Sequence, residues 1–252
     1  MLTAQRKAHL LSALAATGRI VAADQARALN LSEDTIRRDL RELAADGLLL
    51  RVHGGALPLS PTHRPLAARQ ALHPEIKDRL AARAAALIRP GQTVILDGGT
   101  THIALVRALA PDLRATIATH SPVIATALEG HDGIEVLLIG GRLFRHSMVA
   151  TGAVAAEGFA RLRADLCFLG VTGLHPDAGL TTGDAEEAAI KRAMLAASGE
   201  CVVLATPDKI GAASPHIIAP LSALATLIAA ADGPDPGLWP GLQSTSPAIL
   251  RV

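Results

Sequence analysis

The apolar positions of this chain repeat with a helical period first and a strand-like one later. Residues 4–16 carry Leu10, Leu11 and Leu14 and stop at Gly18, and residues 22–29 form a shorter helical pattern that stops at Asn30. In the next run Ile36, Leu40 and Leu43 fall at i, i+4 and i+7, so they share one stripe of a helix. Ser32 is its N-cap, because a serine hydroxyl accepts an orphan backbone N–H, and Gly47 is its stop. Residues 48–56 are short apolar runs bent by Gly54-Gly55, which predicts a hairpin. Helix, helix, tight turn, helix and hairpin is the order of a winged helix-turn-helix.

Residues 58–74 contain Pro58, Pro61, Pro65 and Pro74, which read as a linker. A helix over 75–88 follows, with Ile76, Leu80 and Ala84 on one side and Pro90-Gly91 at its end. Beyond it, strands at 93–96, 115–119, 135–139, 166–169, 201–204 and 225–229 alternate with helices at 101–109, 122–128, 153–159 and 184–197. Short apolar strands between helices predict a mainly parallel sheet covered on both faces. The fold class is therefore α/β: a small N-terminal winged helix-turn-helix (1–57), a linker (58–74), a parallel α/β domain (75–232) and a Pro-, Gly- and Ser-rich tail (233–252) expected to be flexible.

Composition narrows the function classes. No apolar run free of charge and turn signals reaches the length of a membrane span, and the first helix carries Arg6, Lys7 and His9 with no cleavage pattern after it. A cytoplasmic protein is expected. Cys167 and Cys201 lie in apolar strand-like runs and read as buried thiols, not as a disulfide or a zinc site. Residues 1–56 hold eight Lys/Arg against six Asp/Glu, and the remainder sixteen against seventeen. Charge so nearly balanced argues against indiscriminate nucleic-acid binding, so any DNA contact must come from where the arginines stand. A weakly basic module binds DNA tightly only in multiple copies, which predicts a homo-dimer or tetramer.

Those arginines are Arg37, Arg38 and Arg41, which cannot all lie on the buried stripe. Their planar forks suit phosphate oxygens and the guanine edge of double-stranded DNA. Arg51 and His53 on the hairpin reach phosphates. The plain alternative is a solvated face with Glu33/Arg37 and Asp34/Arg38 as i,i+4 pairs, and His53 as a hydrogen-bonded turn residue. In the second domain the loops at the carboxyl ends of the strands carry the candidates. Asp97-Gly98-Gly99-Thr100-Thr101 leads into a helix, where glycines let the backbone approach an anion and the helix N-terminus offers free N–H groups. It lacks the Gly-Lys-Ser/Thr of a P-loop, and a structural turn with a threonine cap fits the same spacing. The other loops are Thr119-His120-Ser121, Gly140-Gly141-Arg142, Thr172-Gly173 through Thr181-Thr182-Gly183, and Asp208-Lys209.

Ser32-Glu33-Asp34-Thr35-Ile36-Arg37-Arg38-Asp39-Leu40 and Arg51-Val52-His53-Gly54-Gly55-Ala56, at this spacing, resemble the winged helix-turn-helix of the DeoR family of bacterial transcription regulators. The resemblance implies that Thr35, Arg37 and Arg38 face DNA, so the candidate DNA contacts are Ser32, Thr35, Arg37, Arg38, Arg41, Arg51 and His53. Asp97-x-Gly99-Thr100-Thr101, Gly140-Gly141 and Glu187-x3-Lys191 before Lys209 resemble that family's sensor domain, which is related in fold to ribose-5-phosphate isomerase. It implies a phosphorylated sugar or related metabolite as effector, no cofactor, and repression of a carbohydrate operon. By carry-over, Gly99, Thr100 and Thr101 hold the phosphate, while Asp97, Thr119, Glu187, Lys191 and Lys209 contact the rest or brace the pocket; Gly98, His120, Gly141 and Arg142 complete the candidate set. His120 stands where many members have Asn, and Thr206-Pro207-Asp208-Lys209 replaces the usual Asp-x-Ser-Lys. Glu187 and Lys191, at i,i+4, also fit a plain surface ion pair.

The rival is a sugar-phosphate isomerase with an added domain. It needs a carboxylate base and groups that stabilise an enediolate. Glu187 could be the base, but Gly170-Val171-Thr172-Gly173-Leu174 holds no carboxylate where the isomerases carry paired aspartates, and Asp177 is the first. The expectation is a regulator and not an enzyme. No His/Cys/Asp cluster has metal-ligand spacing.

Overall fold

The computed structural model describes residues 2–58, 66–231 and 248–252. The winged unit comprises α1 (Thr3–Thr17), β1 (Ile20–Val21), α2 (Ala22–Leu29), α3 (Glu33–Ala45), β2 (Leu50–Val52) and β3 (Gly55–Leu57). Leu10 and Leu14 of α1, Ala26 of α2 and Ile36, Leu40 and Leu43 of α3 close one small core with Leu49 and Ala56. The hairpin gains a third strand that the sequence pattern did not show, since β1 pairs antiparallel with β3. Gly55 is required there: a Cβ at this position would stand 1.7 Å from the Ile20 carbonyl oxygen.

The larger unit runs through α4 (Leu66–Gln70), α5 (Pro74–Ala85), β4 (Thr93–Leu96), α6 (Thr100–Arg107), β5 (Ala115–Thr119), α7 (Pro122–Ala127), β6 (Ile134–Leu138), β7 (Arg142–Phe144), β8 (Val149–Thr151) and α8 (Ala153–Ala160). It continues with β9 (Ala164–Phe168), β10 (Gly173–His175), β11 (Gly179–Thr182), α9 (Ala185–Ala196), β12 (Ser198–Ala205), β13 (His216–Ala219), β14 (Thr226–Ala229) and β15 (Ala248–Arg251). Seven parallel strands form the central sheet in the order β15-β14-β12-β9-β4-β5-β6. Alternate residues of its strands feed two cores. Val94, Leu96, Val202 and Leu204 pack toward α5 and α6, while Ile95, Cys167, Val203 and Ala205 pack toward α8 and α9. Cys167 and Cys201 are register partners on β9 and β12, and both are free, buried thiols.

From β4 the chain builds β5 and β6 on one side, then crosses back to β9 on the other. The strand order therefore reverses between β4 and β9, where a parallel sheet opens a crevice at its carboxyl edge.

Three features depart from expectation. The segment read as a linker contains α4, and Pro74 is the first residue of α5, where its missing N–H costs nothing; Pro61 and Pro65 lie outside the described residues. The expected flexible tail ends in β15, which pairs parallel with β14 because Ile249 packs on one core while Leu250 and Val252 pack on the other; residues 233–247 lie outside the described residues. The β7–β8 hairpin and the antiparallel β10-β11-β13 sheet were not foreseen: Arg142 and the stretch 172–183 read as loops in the sequence, because β7, β10 and β11 are short and β10 and β11 start on Gly.

Candidate functional site

On α3 the Ser32 hydroxyl accepts from the Thr35 N–H at 3.2 Å and lies 2.9 Å from the Thr35 hydroxyl, which fixes the start of the helix. With the stripe turned inward, Arg37, Arg38 and Arg41 are exposed, and so are Arg51 and His53 on the hairpin. Arg37 is held by Glu33 at 2.5 Å, while Arg38 and Arg41 form no ion pair among the described residues. Asp39, in the middle of this cationic run, points the other way. It is buried and bound by both Nε and Nη2 of Arg6 on α1. The sequence pattern did not reveal this pair, whose partners stand 33 positions apart. Its effect is to withdraw from the exposed face the carboxylate that lies between Arg38 and Arg41 in sequence.

The second cluster lies at the switch point. Gly98 turns the chain out of β4, and a Cβ there would stand 2.3 Å from Val149 Cγ1. Gly99 caps α6 at φ +129°, a conformation that side chains disfavour, and no side chain caps this helix. The alternative of a threonine cap is thus excluded, and the first amides of α6 are open to a cavity that Thr100 and Thr101 line.

Beneath this loop lies a buried polar knot. Asp97 accepts from Lys191 Nζ at 2.5 Å, from the Gly98 N–H at 2.7 Å and from the Gly170 N–H at 2.8 Å. His120 Nε2 lies 2.9 Å from Asp97, and His120 Nδ1 donates to the Ala150 carbonyl at 2.6 Å. Burial pushes the Asp97 carboxyl up, but Lys191 and His120 outweigh it and hold the carboxyl well below its usual range. Burial likewise opposes the charge on Lys191, and Asp97 more than restores it. His102 Nδ1 donates to the Gly98 carbonyl at 3.2 Å, and burial pushes its pKa down to about 4, so its ring is neutral.

The cavity above is walled by Gly98–Thr101, by Gly170 and Thr172 after β9, by Thr182, by Glu187 and Lys191 of α9, and by Thr206, Asp208 and Lys209 after β12. Arg69 of α4 and Lys77 of α5 close its other side. Neither residue was a sequence candidate; the only hint was a Leu-Ala-Ala-Arg-Gln run inside a proline-rich stretch. Burial lowers the pKa of both, and pushes Lys209 down to about 8 despite Asp208, with Arg69, Lys191 and Lys77 adding repulsion. Arg69 Nε and Nη2 and Thr182 Oγ1 are buried with no partner among the described residues. Lys191 is matched by Asp97, so three further cations, Arg69, Lys77 and Lys209, face two carboxylates around one space, and buried donors there go unused.

Of the sequence candidates, Gly98, Gly99, Thr100, Thr101, Glu187, Lys191 and Lys209 reach this wall. Asp97, Thr119 and His120 do not; they are fully buried below it, with Thr119 Oγ1 accepting from the Ser121 N–H at 3.1 Å. Gly141 and Arg142 are also absent from the wall, because Gly141-Arg142 leads into the exposed strand β7. Glu187 is buried, not a surface partner of Lys191, whose ammonium goes to Asp97.

Two family descriptions match this chain. The DeoR-like helix-turn-helix domain covers residues 6–62, and the DeoR C-terminal sensor domain covers residues 72–231. The chain belongs to the DeoR family. Its relatives within that family are transcriptional regulators. The HTH-type transcriptional regulator GlpR of Haloferax volcanii is 34% identical over 213 residues, 84% of this chain and 83% of its own. The glycerol-3-phosphate regulon repressor of Escherichia coli is 34% identical over 72% of this chain and 73% of its own. The HTH-type transcriptional repressor GlcR of Bacillus subtilis is 31% identical over 89% of this chain and 87% of its own. Among solved structures, ribose 5-phosphate isomerase A of Methanocaldococcus jannaschii matches 54% of both chains at 16% identity, with a TM-score of 0.41. Among the described residues of this DeoR-family protein, no helix is long and apolar enough to cross a membrane.

Proposed function

We propose that this regulator represses a carbohydrate-metabolism operon and that a small phosphorylated metabolite in the cavity sets its hold on operator DNA. The observation that carries the reading is the cavity's unbalanced charge: with Lys191 matched to Asp97 below, Arg69, Lys77 and Lys209 face Glu187 and Asp208, above an uncapped helix start. An anion with several acceptor oxygens satisfies that set, and the open amides of α6 suit its phosphate. The Escherichia coli relative is named for a glycerol-3-phosphate regulon, which is a ligand class of this size and charge. On the DNA side, Ser32, Thr35, Arg37, Arg38 and Arg41 of α3, with Arg51 and His53 of the wing, are the proposed contacts.

Asp97, Thr119 and His120 serve as the brace beneath the ligand. The protein acts as a cytoplasmic homo-oligomer, because one weakly basic winged unit offers few phosphate contacts. The ligand changes DNA affinity by binding one arrangement of the assembly better than the other.

The cavity senses and does not catalyse. Besides Glu187 its wall offers only Asp208 among the described carboxylates, the strand β9 leads into Gly170-Val171-Thr172-Gly173 without one, and Asp97 is already held by Lys191. Turnover of a pentose or hexose phosphate that disappears in Glu187→Ala would contradict this. Joint replacement of Thr100 and Thr101 by Ala tests the sensor: operator binding stays intact, and release by phosphorylated metabolites is lost. Normal release by that double variant would place the phosphate elsewhere.

A further inference from the structure

The cavity wall is completed by the first helix of the larger unit, the element that follows the stretch leading from the winged unit. Arg69 sits on α4, the first element after the stretch 59–65 that leads from the winged unit. Both described ends of that stretch are tied to the sensor unit. The Pro58 carbonyl accepts from the Ala213 N–H at 3.1 Å, and the Leu66 N–H donates to the His146 carbonyl at 3.0 Å. Lys77 Nζ donates to the Arg69 carbonyl at 2.6 Å, so the end of α4 is pinned while its guanidinium is not.

That guanidinium has a high-energy environment. It is largely desolvated, its Nε and Nη2 lack partners among the described residues, Lys77 and Lys209 repel it, and Glu187 is the one carboxylate that favours its charge. A buried donor without an acceptor is a cost to the empty protein. An arginine placed for structure would be paired, as Arg6 is with Asp39.

We propose that Arg69 is a ligand-binding residue supplied by the connector, and that an anion in the cavity fastens α4, and hence the route to the winged unit, by taking up its two unused donors. The proposal rests on the sensor reading above and goes beyond it by naming the element that carries the signal. Loop 98–101 binds the anion in place; Arg69 makes its arrival felt by the DNA-binding unit. The fork matters as well as the charge, since two parallel N–H donors match a phosphate edge that an ammonium meets at one point.

The test uses the full chain with inorganic phosphate as probe. Melting temperature with and without phosphate, phosphate affinity by calorimetry, and amide hydrogen exchange over residues 66–72 are compared for wild type, Arg69→Ala and Arg69→Lys. In the wild type, phosphate raises the melting temperature and slows exchange in 66–72. In Arg69→Ala, the phosphate-free melting temperature is unchanged or higher, phosphate affinity falls about tenfold or more, and the slowing of 66–72 is lost. Arg69→Lys restores little of it. A lower phosphate-free melting temperature in Arg69→Ala, with phosphate protection of 66–72 retained, makes Arg69 a structural residue and overturns the proposal. A wild type with no phosphate response at all overturns the sensor reading itself and this inference with it.

Discussion

The winged unit and the sensor unit treat buried charge in opposite ways. In the first, the buried carboxylate and guanidinium are given to each other, Asp39 to Arg6, and the remaining arginines face outward. In the second, the knot around Asp97 is fully satisfied, yet one layer above it Arg69 and Thr182 hold buried donors with no partner among the described residues, and Lys209 stands desolvated beside other cations. The contrast separates scaffold from site. Where charges are matched inside the fold, the residues hold shape; where the fold buries cations and leaves them unmatched, it is built for something that arrives.

The largest test of that contrast is Asp97→Ala. Removing the acceptor of a fully buried lysine and two backbone amides costs about 3–5 kcal/mol of stability, read from urea midpoints. Because the folded protein holds this carboxyl below its usual range, the contribution is present above the ordinary carboxylate pKa and is lost as pH falls through the lower folded value. A change near zero would mean that the knot is not scaffold. On the other unit, Arg38→Ala weakens operator binding by about 1–3 kcal/mol if the contact is to a base edge, with stability unchanged. Arg37→Ala has the smaller effect, because Glu33 already holds that side chain. Equal and negligible effects in footprinting would return both arginines to a merely solvated face. The finest test is pH. Lys209 is charged below about 8, and an anion favours the charged form. Affinity for sulfate, an anion that does not titrate in this range, is therefore full below that pH and falls as pH rises through it, by up to about tenfold from pH 7 to 9. In Lys209→Gln calorimetry shows a flat profile; a slope that persists would assign the titration to another group.

Much of this arrangement is legible in the chain itself. The apolar runs within β4, β9 and β12 are buried on both faces, so their pattern is nearly all hydrophobic and hard to mistake, and Gly98-Gly99 marks its loop because no other residue fits the space and the φ angle. What escaped were pairings between distant residues. Asp39 looks like one more polar residue on an exposed face until Arg6 is brought against it. Asp97 and His120 look like loop ligands until burial turns them beneath the floor. Arg69 was hidden by its setting, since prolines on either side suggest an open tether, and a five-residue helix leaves almost no periodic trace. The same brevity concealed β7, β8, β10 and β11, whose runs of three or four residues cannot be told from turns.

The paired thiols on β9 and β12 have a practical consequence. Burial raises the pKa of Cys167 and pushes Cys201 up to about 12, so neither sulfur offers a thiolate to a reagent while the sheet is closed. A thiol-modifying dye added to the native protein therefore reacts only as fast as the middle of the sheet exposes itself. The chain carries its own stopwatch for core opening, and the rate at which metabolites or operator DNA slow that clock can be read without adding a label.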